Sequence, residues 1–112
     1  MAYDAALAER IVRLLKGKRR IAQKQMFGGA CFLLKGHMCC GVMRDRLVVR
    51  VGPEQYARLL RKRHVRPMDF TGRPLRGFVF VLPKGLQGQT ALKVWIDRGL
   101  RYAESLPSKR RR

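Results

Sequence analysis

Acidic residues are scarce in this chain. Seven Asp and Glu stand against 26 Lys and Arg over 112 residues, a formal net charge of +19. A surface so short of carboxylates cannot pair its own cations and attracts polyanions, an attraction felt over ~8 Å at physiological salt and weakened as salt rises. Long hydrophobic runs are missing too. No stretch approaches the ~18 apolar residues of a membrane-spanning helix, and the opening MAYDAALAER lacks the apolar core of a secretory signal. A cytoplasmic protein without membrane contact is expected. Histidine is limited to His37 and His64, and no G-x-S-x-G, H-E-x-x-H, P-loop or G-x-G-x-x-G motif occurs. A nucleophile needs a base and a group that orients it, so this poverty argues against an enzyme. Cysteine is confined to Cys31, Cys39 and Cys40, an odd and crowded set that makes a poor disulfide framework and fits reduced thiols. Structural zinc prefers pairs spaced as C-x-x-C, and neighbouring residues on a regular strand point to opposite faces, so neither a metal nor a cofactor is expected.

What is present suffices for one domain. Hydrophobic residues make up 46% of the chain, enough for a core but not for two. Leu7, Ile11, Leu14 and Leu15 recur at helical spacing behind Asp4, a capping residue, and Gly17 follows the last of them. Four strands are expected near 21–27, 29–35, 38–43 and 46–51, joined closely enough to form an antiparallel meander. Gly28-Gly29 is expected to bend or bulge the sheet, with the first two strands as one bent strand in the alternative. Gly52-Pro53-Glu54 opens a second helix with Tyr56, Leu59 and Leu60 on its apolar side and Arg58, Arg61, Lys62 and Arg63 on the remainder and at its end. Met68-Asp69-Phe70 reads as a short strand, Thr71 to Pro74 as a turn, and Gly77 to Leu82 as a longer strand. Thr90 is expected to cap a final helix running through Leu92, Trp95, Ile96, Leu100, Ala103 and Leu106 to Pro107. The fold class is therefore α+β: an antiparallel sheet of about five strands with helices packed on it, in the order helix, three or four strands, helix, two strands, helix. Residues 1–107 form the domain and 108–112 a disordered basic tail.

Four segments recur in a familiar order: Met26-Phe27-Gly28-Gly29, Met38-Cys39-Cys40-Gly41-Val42, Val49 to Glu54, and Met68-Asp69-Phe70-Thr71-Gly72-Arg73-Pro74. Together they resemble the TfoX/Sxy N-terminal domain family, over nearly the whole chain. The resemblance implies a curved antiparallel sheet similar to that of type III secretion chaperones, and a regulatory role. In the founding members, bacterial competence regulators acting in transcriptional activation, a helical domain follows; a single-domain member without it is expected here. The +19 charge and the run Lys109 to Arg112 depart from the family's usual pattern. The motif residues Met26, Phe27, Gly28, Gly29, Cys39, Cys40, Gly41, Gly52, Pro53, Asp69, Phe70, Gly72, Arg73 and Pro74 are expected to be structural. Asp69 is expected to cap the Thr71 or Gly72 amide or to pair with Arg66 or Arg73.

The functional candidates are cations. Lys18, Arg19, Arg20, Arg61, Lys62, Arg63, Arg66, Lys109, Arg110, Arg111 and Arg112 stand at helix ends or in the tail, and if they converge they form one patch. Such groups reach phosphates but read no bases, so binding would be non-specific. The leading reading is a non-enzymatic regulatory module that binds another regulatory protein and attracts nucleic acid electrostatically. The alternatives are a DNA- or RNA-associated basic protein and a thiol or redox enzyme built on Cys39 or Cys40. A homodimer through an uncovered sheet edge remains open.

Overall fold

The computed structural model describes residues 3–18, 20–26, 28–69 and 72–107. Three helices and six strands follow in the order α1 (Ala5–Leu15), β1 (Ile21–Met26), β2 (Gly29–Leu34), β3 (His37–Met43), β4 (Arg46–Arg50), α2 (Pro53–Leu59), β5 (Val65–Asp69), β6 (Pro74–Val81) and α3 (Gln89–Glu104), with a 3-10 turn at Pro83–Leu86 before α3. One antiparallel sheet has the spatial order β1-β2-β3-β4-β6-β5, one strand more than the sequence suggests. The close turns of the first four strands dictate the meander. β6 then returns beside β4, and β5 is left as the outermost strand.

Helix α1 starts where a carboxylate can serve the free amides of its first turn: Asp4 accepts from the Leu7 N–H at 3.1 Å. Its stripe of Leu7, Ala8, Ile11 and Leu15 is buried, and Gly17 takes a positive φ of 86° beyond its end. Helix α2 begins with Gly52 as its cap and Pro53 in the first turn, as the sequence implies. It stops at Leu59, however, so Arg61, Lys62 and Arg63 lie in the connection to β5 rather than on the helix. In α3 the cap is Gly88, not Thr90, which falls inside the first turn and caps nothing. The carbonyls of Leu86 and Gly88 instead accept from the Arg10 guanidinium at 2.9 and 3.2 Å, and Gln89 Oε1 accepts at 2.8 Å. One side chain thereby ties α1 to the start of α3.

β2 and β3 are buried almost throughout, which requires cover on both faces. On one face α1, α2 and α3 contribute Ile11, Leu59, Leu92, Trp95 and Ile96 to a core shared with Leu47, Val49, Val79 and Val81. The other face carries a second cluster made of strand residues alone: Cys31, Met38, Met43, Val48, Met68 and Phe80. Each fully buried aliphatic side chain contributes about 1.5–3 kcal/mol. The edge strands differ from the centre, since β1 exposes Ala22 to Gln25 and β5 exposes Arg66, Pro67 and Asp69.

Gly28-Gly29 neither bulges nor bends the sheet. Met26 pairs with Gly29, so Gly28, at φ 74°, lies in the tight turn of a β1–β2 hairpin. The bulge is elsewhere: Phe32 pairs with Cys40 and Leu33 with Met38, which leaves Cys39 as the extra residue. Cys39 and Cys40 therefore both join the core under the helices, against the strict alternation expected of neighbours on a strand. Directly above, Gly99 of α3 approaches so closely that an added Cβ would overlap the Cys39 carbonyl oxygen and lie 3.1 Å from its carbon.

Gly99→Ala tests that seat. An exposed mid-helix Gly→Ala change stabilises by roughly 0.5–1 kcal/mol. Here the sign reverses, because the new methyl meets backbone rather than a flexible side chain. Denaturant unfolding is expected to show a net loss of about 1–3 kcal/mol, and a gain in stability would refute the close approach.

Candidate anion-binding surface

The cationic groups that would form one patch if they converged enter the sheet at opposite edges. Lys18 and Arg20 precede β1, while Arg61, Lys62 and Arg63 precede β5, which carries Arg66. The sheet order thus separates the two groups by four intervening strands. Lys18 lines a shallow groove with Leu34, Asp97, Leu100 and Arg101. Arg20 has a left-handed backbone, φ 67°, and its carbonyl accepts from the Lys35 N–H at 3.3 Å. Arg61, Lys62, Arg63 and Arg66 are exposed. Arg66 donates to its neighbour's carbonyl, Val65 O, at 3.0 Å. Arg19, Phe27, Phe70 and Lys109, Arg110, Arg111 and Arg112 lie outside the described residues.

A cationic cleft of about 600 Å³ lies between α2 and α3, lined by Arg58, Arg98 and Arg101. It adjoins the Lys18 groove, with which it shares Arg101 and Ser105. Arg98, Arg101 and Ser105 follow one another at i, i+3 and i+7, one stripe of α3, and Leu92, Trp95, Ile96, Gly99 and Ala103 form its buried side. That spacing was available in the sequence, where the apolar stripe alone drew attention. Arg98 stacks over the Trp95 ring at 4.5 Å. Its acidity is raised, the pKa lying below the usual guanidinium value, first through burial and then through repulsion from Arg58 and Arg101. Arg58 donates to Gln55. None of the three makes an ion pair among the described residues, whose pairs are Arg13–Glu9, Lys35–Glu104, Arg46–Asp45 and Lys93–Asp97.

One wall of the cleft is built by glycine. A Cβ on Gly52 would stand 2.6 Å from two carbons of the Tyr102 ring, and φ there is 90°. The Val51 and Gly52 amides both donate to the Gly77 carbonyl, at 2.8 and 3.1 Å, which pins the turn to β6. Arg50 completes the support, its guanidinium 5.5 Å from the Tyr102 centroid and 5.3 Å from that of Phe78. Arg46 covers Phe80 in the same manner at 5.1 Å. The two phenylalanines share a face, as alternation requires, and they meet guanidiniums and methionines rather than a helix.

The remaining motif residues have structural positions. Gly29 lies under the Val42 carbonyl and Gly41 against that of Ala30, with an added Cβ at 2.8 Å from the latter oxygen. Met26 is half-buried against the second cluster. Gly72, at φ 87°, turns β5 into β6, where Asp69 faces Pro74 across the register and Arg73 is exposed. Asp69 forms neither of the expected ion pairs, with Arg66 or Arg73, and no cap to Gly72 among the described residues.

All three thiols are buried and free. Cys39 Sγ donates to the Phe32 carbonyl at 3.3 Å. The interaction of the adjacent thiols lowers the pKa of Cys39 against the effect of burial and raises that of Cys40 well above its usual value, reinforced there by burial and by the charges of Cys39 and Cys31. Cys31, on the other face of the sheet, is pushed up to about 11 by burial. Among the described residues no His, Cys, Asp and Glu side chains group as a metal site, and no helix is long and apolar enough to cross a membrane.

Comparison with known proteins places the chain in a family. The family model of the TfoX N-terminal domain matches residues 13–103. No curated protein matches the chain, and no solved structure does.

The thiols give two expected outcomes. Iodoacetamide at neutral pH is expected to leave the folded protein unmodified and to label all three cysteines in denaturant; rapid labelling of the native state would mark an accessible thiolate. Cys31 titrates near its usual value of 9 when unfolded and about 11 when folded. The folded state therefore holds a proton that the unfolded state has lost, and its advantage shrinks as pH rises through that interval. The stability difference between the parent and Cys31→Ala is expected to narrow from pH 9 to 11, as read from denaturant midpoints.

Proposed function

Since the chain belongs to the TfoX N-terminal domain family, we propose that it is a non-enzymatic regulatory binding module of the competence-regulator type, in which contact with a regulatory protein is joined to electrostatic contact with nucleic acid. The observation that carries this reading is the disposition of charge. The buried set among the described residues contains no polar or charged side chain. Only four cations pair with carboxylates there. The great excess of Lys and Arg thus faces solvent unneutralised, as binding to a polyanion requires. The reading as a thiol enzyme draws no support from groups this deeply buried, and the family is not a known enzyme family.

Arg61, Lys62, Arg63 and Arg66, close in sequence at one edge, are the phosphate contacts on this reading, with Lys18 and Arg20 as a separate outlying pair. The tail Ser108 to Arg112 adds charge. No helix is placed as a recognition element, so affinity is non-specific, with Kd about 10⁻⁴ to 10⁻⁶ M at physiological salt.

Fluorescence anisotropy with labelled duplex and single-stranded oligonucleotides is the direct measurement. Binding is expected to fall linearly in log Kd against log salt between about 50 and 200 mM. Each of Arg61→Gln, Arg63→Gln and Arg66→Gln is expected to lower the slope by about one. Removal of Ser108 to Arg112 is expected to lower it further. Binding indifferent to salt, or absent at the lowest salt, would refute nucleic-acid contact. A pull-down repeated with and without nuclease tests the protein partner, whose capture is expected to survive nuclease.

A further inference from the structure

We propose that the cleft between α2 and α3 binds a nucleotide-sized phosphomonoester, with Arg58, Arg98 and Arg101 around its phosphate. This site is separate from the Arg61 to Arg66 surface, and either can fail without the other.

Three observations converge on it. The first is the concentration of like charge: Arg58, Arg98 and Arg101 line one cleft, the pKa of Arg98 lies below its usual value through burial and then through repulsion from Arg58 and Arg101, and no carboxylate pairs with any of them among the described residues. Repulsion of this kind destabilises the empty cleft and is relieved when an anion enters. Guanidinium forks match phosphate oxygens in geometry, so Arg is the appropriate residue type.

The second is charge balance. Three guanidiniums and the carboxylate of Glu54 line the cleft, a net of two positive charges. A phosphomonoester carries about −1.5 to −2 at neutral pH. A phosphodiester of a nucleic-acid backbone carries one charge and leaves the cluster undercompensated.

The third is shape and support. About 600 Å³ lies within the ~300–1,000 Å³ range of small-molecule sites. The arginines converge on one volume instead of following a track, and Val51 and Leu59 supply apolar lining. The Tyr102 wall is fixed by the Gly52 turn and by Arg50, and Arg98 by its stacking on Trp95, so little ordering is left for the ligand to impose.

Calorimetry and arginine Nε–H NMR signals read the site, with inorganic phosphate, ribose 5-phosphate and AMP as probes and ribose and adenosine as uncharged counterparts. Saturable binding of both phosphate esters is expected, tighter than that of inorganic phosphate, with no binding of the uncharged pair. Affinity is expected to rise with pH through about 6, as the phosphate loses its second proton. Arg98→Gln and Arg101→Gln are each expected to weaken binding ~10-fold, whereas Arg61→Gln leaves it unchanged. Arg101 is exposed, so its replacement keeps the test valid should Arg98→Gln perturb the fold. Three results would each overturn the proposal: no saturable binding of either ester, binding insensitive to both cleft variants, or cleft-dependent binding of a single-stranded oligonucleotide alone.

Discussion

The contact between Gly99 and the Cys39 carbonyl governs the rest of the molecule. A helix normally stands off a sheet by the length of its side chains; here glycine removes that spacer at one point, and α3 rests on the backbone of β3. The added residue in the β3 bulge turns Cys39 and Cys40 together into the same core, under the helix. With the height of α3 set at this point and its first turn fastened by Arg10, the helix has little rotational freedom. Its stripe of Arg98, Arg101 and Ser105 is thereby directed at the Gly52 turn and α2. The cleft is thus a product of core packing and owes nothing to a flexible loop.

Charge is managed by a second device. A chain carrying +19 must place cations near one another, and few carboxylates are available to separate them. Aromatic rings substitute: Arg46, Arg50 and Arg98 lie over Phe80, Phe78 and Trp95. The π faces attract these guanidiniums at about 0.5–1 kcal/mol each when exposed. Arg46 and Arg50 thereby cover the apolar cluster on the sheet face that receives no helix residue, which lets methionine and phenylalanine be buried there.

Much of this was legible in the order of residues, and the exceptions have physical causes. The α1 stripe with its Asp4 cap, the four-strand meander and the Gly52-Pro53 helix start follow from local rules, and the structure has them. The four segments that carry the family resemblance include glycines whose neighbours explain them, such as Gly41 at the Ala30 carbonyl and Gly52 at Tyr102. The bulge escaped because nothing in Met38-Cys39-Cys40 distinguishes two residues facing one partner from ordinary alternation; pairing with β2 decides it. Val65 to Pro67 escaped as strand because a proline and a cation suit an edge, where no neighbour supplies a hydrophobic pattern. Convergence of the charged segments was undecidable locally, since sheet order sends one group to β1 and the other to β5. Arg98 and Arg101 sat unnoticed on the polar side of a helix whose apolar side explained its existence.

The outermost strands bear Lys24 and Arg66, cations of one sign beside an edge that no further strand covers among the described residues. Such margins repel their own likeness, which is how many sheets avoid growing from one molecule into the next. Protection of this sort belongs to the solvent as much as to the chain: where ions shorten the reach of charge to a few ångströms, the barrier to edge-on stacking thins. Resistance to edge-on association is therefore set by the medium as well as by the chain, and a buffer of low ionic strength is the one that preserves it.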